Sequence, residues 1–151
     1  MTLIQQLYAH LQDIQEKEIP IIVEGWNDKK ALQALGLTNI FTLNMPLFKI
    51  VERIPGREVV ILTDLDTKGK QLYARIQHDC IHHGIRINNR LRHFLFRETP
   101  LSHIEGLPTY LMNLEKKEMG PKGLSGIFFQ CSVVGFTPAV YYIFVKMLSN
   151  P

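Results

Sequence analysis

Three acidic residues follow apolar runs of this 151-residue chain, and their placement suits the binding of a metal ion. Glu24 comes directly after the apolar run at residues 19–23. Asp64 and Asp66 follow the run at residues 58–62, and two residues that are two positions apart on an extended backbone point to the same side. Repulsion between close carboxylates would raise their pKa values and destabilise the fold unless a cation offset it. The pattern therefore predicts a hard divalent cation, Mg²⁺ with Mn²⁺ as a substitute, held by Asp64, Asp66 and Glu24.

Glycines and lysines stand beside these acids and add features of a phosphate site. Gly25 and Gly69 lack a Cβ, so the backbone can turn tightly and approach a phosphate closely. Lys68 and Lys70 place positive charge at the opening of a predicted helix, where free N–H groups already favour an anion. Asp28 has two interpretations: it supports the metal ligands from behind, or it only interacts with the dipole of its own helix.

Strands alternate with helices along the first 118 residues, and this alternation predicts how the acids come together. The predicted strands are residues 19–23, 40–43, 58–62 and 85–87, and the predicted helices are residues 2–18, 27–35, 47–54, 70–83 and 109–118. Such alternation is typical of a parallel sheet with helices on both faces. Ligand sites of these sheets lie beyond the carboxyl ends of the strands. The predicted fold class is therefore α/β, a compact domain with a central, mostly parallel sheet of about four strands flanked by helices.

The excess positive charge of the chain is concentrated between Lys68 and Arg97. Seven cations stand there against one acid, a local charge of +6, whereas the whole chain carries +3. One interpretation is a surface that contacts a nucleic-acid backbone, with His93, Phe94 and Phe96 available for packing or stacking. The other is a helix that buries its apolar residues and leaves its arginines in water. The candidate phosphate contacts under the first interpretation are Lys68, Lys70, Arg86, Arg90 and Arg92.

Two segments resemble the motifs of the Toprim domain. IPIIVEGWNDKKAL is similar to the first motif, a hydrophobic strand that ends in Glu-Gly with an Asp soon after, and VVILTDLDTKGKQL is similar to the second, Asp-x-Asp with a Gly following. Residues 3–118 resemble the small stand-alone Toprim proteins found mainly in archaea, including their IEGLP segment. The resemblance implies phosphodiester chemistry on nucleic acid, with Glu24 as general acid or base and Asp64 and Asp66 as Mg²⁺ ligands. Trp26 stands where those relatives often carry a basic or small residue.

The sequence therefore predicts a Mg²⁺-dependent Toprim protein that acts on phosphodiester bonds of DNA or RNA, with a nuclease as the leading interpretation. The alternative is a Toprim module that binds nucleic acid or protein without catalysis, with or without a membrane tether through its C-terminal tail. Glu105 of the IEGLP segment is expected to make no more than a contact between helices.

Composition and cysteine usage exclude several other classes of protein. The chain is 46% hydrophobic and 21% charged, which excludes a disordered chain. Two cysteines without CxxC spacing indicate neither a disulfide framework nor a structural zinc site, and the N-terminus lacks a secretory pattern, so a cytoplasmic location is expected. A zinc cluster of His78, Cys80, His82 and His83 is not expected, because Cys80 would not share a helix face with His78 and His82.

Residues 119–151 form an apolar C-terminal extension of a different composition. No charged residue occurs in the 23 residues from 123 to 145. A helix of that length, at about 1.5 Å per residue, would cross a bilayer core of about 30 Å. Gly126, Gly135 and Pro138 interrupt a helix, and the many Val, Phe and Tyr residues favour a strand. A loosely docked extension is the preferred interpretation, and a membrane anchor is the alternative.

Overall fold

A four-stranded parallel sheet organises residues 2–119, which are the residues that the computed structural model describes. Its strands are β1 (Ile21–Val23), β2 (Ile40–Thr42), β3 (Glu58–Leu62) and β4 (Arg86–Ile87). The order across the sheet is β2-β1-β3-β4, and each neighbouring pair is parallel. The predicted α/β class with about four parallel strands is therefore confirmed.

Helices flank this sheet on both faces. They are α1 (Leu3–Glu16), α2 (Trp26–Ala34), α3 (Leu47–Arg53), α4 (Thr67–His82), α5 (Arg90–Glu98) and α6 (Leu107–Met119), with a short 3-10 turn at Ile104–Gly106 before α6. Helix α5 is the segment that the sequence left open, and it buries Leu91, Phe94 and Leu95. Its apolar side therefore packs as helix core, as the second interpretation of the basic segment predicts, but Arg92 of the same helix is also buried instead of lying in water.

The apolar C-terminal extension predicted for residues 119–151 lies outside the described residues, apart from the backbone of Met119. Within residues 2–119, no helix has the length and the apolar character that a membrane crossing requires.

The central strands supply two apolar layers, because successive side chains of a strand point to opposite faces of the sheet. One layer lies between the sheet and helices α1, α2, α5 and α6, and it receives Ile21, Val23, Val60 and Leu62. The other lies beneath α3 and α4, and it receives Ile22, Val59 and Ile61. Burial on both faces explains the continuous apolar runs of β1 and β3 in the sequence.

Glu115 of α6 is a carboxylate buried inside the first of these layers, with 0% of the residue exposed. The hydroxyl of Tyr8 in α1 donates a hydrogen bond to its Oε1. Its Oε2 has no hydrogen-bond partner among the described residues. Burial raises the pKa of Glu115, and the hydrogen bond from Tyr8 partly opposes the rise. The folded state therefore holds this proton more tightly than the unfolded chain does.

Glu115 should make the protein less stable as pH rises. The unfolded chain releases the proton first, so stability declines from about pH 4.5 up to the raised pKa of the folded state and stays lower above it. We expect the free energy of unfolding of Glu115→Gln to rise relative to that of the wild type as pH rises from about 4.5 to about 8. Urea unfolding across this range measures the difference. The exposed Glu52 provides a control in Glu52→Gln, and a pH-independent difference for Glu115→Gln would contradict the prediction.

Candidate metal site

The exits of β1 and β3 bring two of the predicted acids together. The two strands are neighbours, so Glu24 after β1 and Asp64 after β3 reach the same carboxyl edge of the sheet. The backbone N–H of Asp64 donates a hydrogen bond of 2.9 Å to Oε1 of Glu24. Residues 40 positions apart in the sequence are thus in direct contact.

Asp64, Asp66 and His103 form a compact group of possible metal ligands. One ligand atom from each lies within 4.8 Å of the others. Nδ1 of His103 lies 3.2 Å from Oδ2 of Asp64 and 3.9 Å from Oδ2 of Asp66. The exposed fractions of the side chains are 18% for Asp64, 40% for Asp66 and 54% for His103, so the group is open to a ligand from solvent.

The electrostatics of this group favour positive charge. The hydrogen bond with Asp64, together with the charge of that carboxylate, raises the pKa of His103. The other oxygen of Asp64, Oδ1, accepts a hydrogen bond of 2.9 Å from the backbone N–H of Ile104. Asp64 therefore attracts hydrogen-bond donors and positive charge from the segment before α6.

His103 is the site residue that the sequence analysis missed. It follows no strand and belongs to neither motif, and it is close to the acids only because its loop folds back onto the exit of β3. The backbone N–H of Leu65 donates a hydrogen bond of 2.8 Å to the carbonyl of Ser102, which fixes the loop there. The one available signal was its position directly before the IEGLP segment.

Asp28 lies close to the acids and also fixes the start of α2. It is 8% exposed, and its Oδ2 accepts a hydrogen bond of 3.2 Å from the N–H of Gly25. Burial raises the pKa of Asp28, and the negative charges of Asp64, Glu24 and Glu105 raise it further. Asp28 thus caps the start of α2 within the electrostatic reach of the acids, and Glu105 contributes charge to the same group.

Asp66 and Gly69 build the start of α4 against the exit of β3. Oδ1 of Asp66 accepts a hydrogen bond of 2.8 Å from the N–H of Gly69, which caps the helix and starts it at Thr67, three residues earlier than predicted. A Cβ on Gly69 would lie 1.9 Å from the backbone oxygen of Asp64. The close approach expected here was to a phosphate, whereas the structure shows an approach to the chain's own backbone.

The two glycines of the predicted site should differ sharply in their tolerance of a side chain. We expect Gly69→Ala to lower the free energy of unfolding by about 3 kcal/mol or more, because the methyl group meets backbone atoms that cannot move aside. Gly25→Ala should cost about 1 kcal/mol at most, because its Cβ meets nothing within 4 Å and only the N-cap preference is lost. Urea unfolding measures both variants, and equal losses would contradict this account of Gly69.

Arg92 lies inside the protein, beneath the acids. It is 6% exposed, and its guanidinium donates hydrogen bonds of 2.6 Å to the carbonyl of Thr63 and 3.2 Å to the carbonyl of Asp64. It also lies 4.4 Å from the ring centroid of Tyr73. Burial lowers the pKa of Arg92, and the charges of Tyr73, Glu24 and Asp64 oppose this. The structure argues against the expected contact of Arg92 with a phosphate, because the side chain is buried and donates to the backbone at the exit of β3.

The other cations of the basic segment are divided between the two ends of the sheet. Arg86 pairs in register with Glu58, the first residue of β3, and therefore lies at the amino end of the sheet, away from Asp64. Its guanidinium is 3.5 Å from the Glu58 carboxylate. Arg90 lines the same surface depression as Arg86. These two arginines therefore do not join the acids in one surface. The sequence alone could not show this, because it does not reveal how β4 is aligned against β3.

Lys68 and Lys70 do lie at the carboxyl edge, in the first turn of α4. Both side chains are exposed. The backbone N–H of Lys70 donates a hydrogen bond of 2.9 Å to the carbonyl of Asp66, which ties this turn to the acidic group. The positive charge that the sequence predicted beside the acids is therefore present, but it comes from these two lysines alone among the five candidates.

The histidines and the cysteine of α4 do not form a metal site. Within residues 2–119, the side chains that meet the geometry of a metal cluster are those of Asp64, Asp66 and His103. Cys80 belongs to the core beneath α3 and α4, and burial raises the pKa of its thiol to about 11.

Comparisons with known proteins give relatives of similar length. No protein-family model matches the chain. It is 33% identical over 105 residues to a UPF0292 protein of Methanocaldococcus jannaschii, and this alignment covers 65% of this chain and 82% of that protein. It is 34% identical over 122 residues to a UPF0292 protein of Methanosarcina acetivorans, with 76% and 83% covered. A solved structure of an Aquifex aeolicus protein matches with a TM-score of 0.60 and 29% identity, over 66% of this chain and 93% of that one.

Proposed function

The chain belongs to the UPF0292 family, and from that premise we propose that it is a Toprim protein that uses a divalent metal ion to cleave phosphodiester bonds of nucleic acid. One observation carries the proposal: Asp64, Asp66 and His103 converge at the carboxyl edge of a parallel sheet, with Glu24 bonded to the same strand exit. The order of these acids matches the two motifs of the resemblance.

The side chains present fit a divalent cation. Carboxylate oxygens are the ligands that Mg²⁺ and Mn²⁺ prefer, and imidazole suits several other first-row metals. Asp64 and Asp66 would hold the ion, with His103 as a third ligand for a metal that accepts nitrogen. A bound divalent ion would supply Lewis-acid stabilisation of charge on a phosphate.

The remaining residues of the edge would handle the proton and the phosphate. Glu24 is the proposed general base or acid, and the hydrogen bond from Asp64 N–H fixes its carboxylate at the edge. Lys68 and Lys70 would contact phosphates of the substrate, helped by the N-terminus of α4. Arg92 would act only by holding the exit of β3 in place.

A binding module without catalysis is the second candidate. The observation that favours it is the position of His103 beside the two aspartates, whose negative charge raises the pKa of the imidazole and so favours its positively charged form. With His103 protonated, the protein itself would offset part of the acidic charge, and the site could recognise nucleic acid through its lysines with no reaction.

Metal binding should depend on the charge of Asp66, whereas folding should not. Asn is as good an N-cap as Asp, so Asp66→Asn keeps the cap of α4 and removes one ligand charge. We expect Mg²⁺ or Mn²⁺ to raise the free energy of unfolding of the wild type by about 2.7 kcal/mol when the metal is at 100 times its Kd, and the melting temperature to rise with it. The affinity of Asp66→Asn should be at least about tenfold lower.

Thermal shift and titration calorimetry after EDTA treatment measure this effect of metal. Asp79→Asn, on the same helix but outside the acidic group, is the matched control. Equal stabilisation of Asp66→Asn and the wild type would contradict the proposed metal site.

Cleavage is tested on labelled single- and double-stranded DNA and RNA with Mg²⁺, Mn²⁺ or EDTA. We expect metal-dependent cleavage by the wild type and a loss of about 100-fold or more in Glu24→Gln, whose amide oxygen can still accept the bond from Asp64 N–H. Asp64→Asn should lose activity through the metal, and Asp79→Asn should retain it. Unchanged cleavage by Glu24→Gln would remove its catalytic role, and binding of nucleic acid without cleavage by the wild type would favour the second candidate.

A further inference from the structure

Two large aromatic side chains are exposed at the edge that carries the acids. Trp26 is 60% exposed and is the first residue of α2, two positions after Glu24. Phe96 is 55% exposed and lies near the end of α5. Exposure alone does not indicate a ligand, since Phe48 is exposed to a similar extent, so a ligand is indicated only by where these two rings lie and by what contacts them.

Each of these rings has a lysine against it. Nζ of Lys29 lies 5.7 Å from the ring centroid of Trp26. Nζ of Lys70 lies 4.6 Å from the ring centroid of Phe96. Each pair thus combines a flat ring, on which a nucleobase can stack, with a cation that can contact a phosphate.

The topology places the acids between the two pairs. Trp26 follows β1, the acids follow β3, and Phe96 lies on the helix that follows β4. In the strand order β3 lies between β1 and β4, and Phe96 reaches the carboxyl edge because its ring contacts Lys70 in the first turn of α4. Lys70 belongs to the turn that Asp66 caps, which joins the Phe96 pair to the acidic group.

We propose that the two aromatic–lysine pairs, Trp26 with Lys29 and Phe96 with Lys70, bind unpaired bases of a single-stranded nucleic acid on either side of the acidic group. This inference rests on the proposed function, since it assigns the substrate class of that site. Bases inside a duplex have both faces covered by their neighbours, whereas unpaired bases stack on aromatic side chains. The lysines contact the adjoining phosphates, which adds a salt-dependent part to the affinity.

The fluorescence of Trp26 provides a direct test, because it is the one tryptophan of the chain. The full chain is titrated in EDTA, where cleavage is suppressed, with a thymidine 12-mer, a uridine 12-mer and a blunt duplex. We expect quenching by the single strands and an affinity at least about tenfold higher than for the duplex at equal salt. The thymidine and uridine arms distinguish DNA from RNA as the source of the strand.

Conservative variants test the stacking itself. Phe96→Leu and Trp26→Leu keep an apolar side chain and remove the ring, and each should weaken binding of the labelled single strand about fivefold or more, as measured by anisotropy. Phe48→Leu is the matched control, since Phe48 is 58% exposed in the first turn of α3 and belongs to neither aromatic–lysine pair. Its affinity should stay within about twofold of the wild type.

Equal affinity for single strand and duplex, or wild-type binding by Phe96→Leu and Trp26→Leu, would overturn this inference. These readouts are independent of cleavage. Metal-dependent cleavage without a preference for single strands would leave the proposed function in place and remove the stacking role. A preference for single strands without metal-dependent cleavage would retain the stacking role and remove the nuclease.

Discussion

The hydrogen bond from the backbone N–H of Asp64 to the carboxylate of Glu24 joins the exits of the two central strands, and the candidate site depends on it. The same short stretch is held by two further groups. Arg92 donates to the carbonyls of Thr63 and Asp64, and Gly69 brings the start of α4 against the Asp64 backbone. With its backbone fixed so completely, Asp64 can present its carboxylate at one place on the edge of the sheet.

The interior cation and the surface acids form one electrostatic unit. Arg92 is buried below the edge, and its charge interacts with those of Glu24 and Asp64. Buried arginines are rare unless they are paired, and here the partners are carbonyl oxygens at the end of a strand. The arginine therefore supports a cluster of negative charge without competing for the side-chain oxygens that a metal would need.

The sequence was a good guide where the signal is local and a poor guide where it depends on contacts between distant segments. The alternation of strands and helices is written in apolar periodicity, and parallel topology then brings Glu24 to Asp64. The burial of Arg92 and the arrival of His103 both depend on how the segments after β4 fold back, which no local pattern encodes. Arg86 shows the same limit, because its position follows from the register of a two-residue strand.

The outer strands of the sheet are short: β2 has three residues and β4 has two. An outer strand exposes unpaired N–H and C=O groups, and a long one is a template on which a foreign chain can add a strand. Rims of this length offer few such groups, so the parallel sheet gains protection from edge-to-edge aggregation. The short outer strands thus limit strand addition at the sides of the sheet, while the exits of its central strands are held in place.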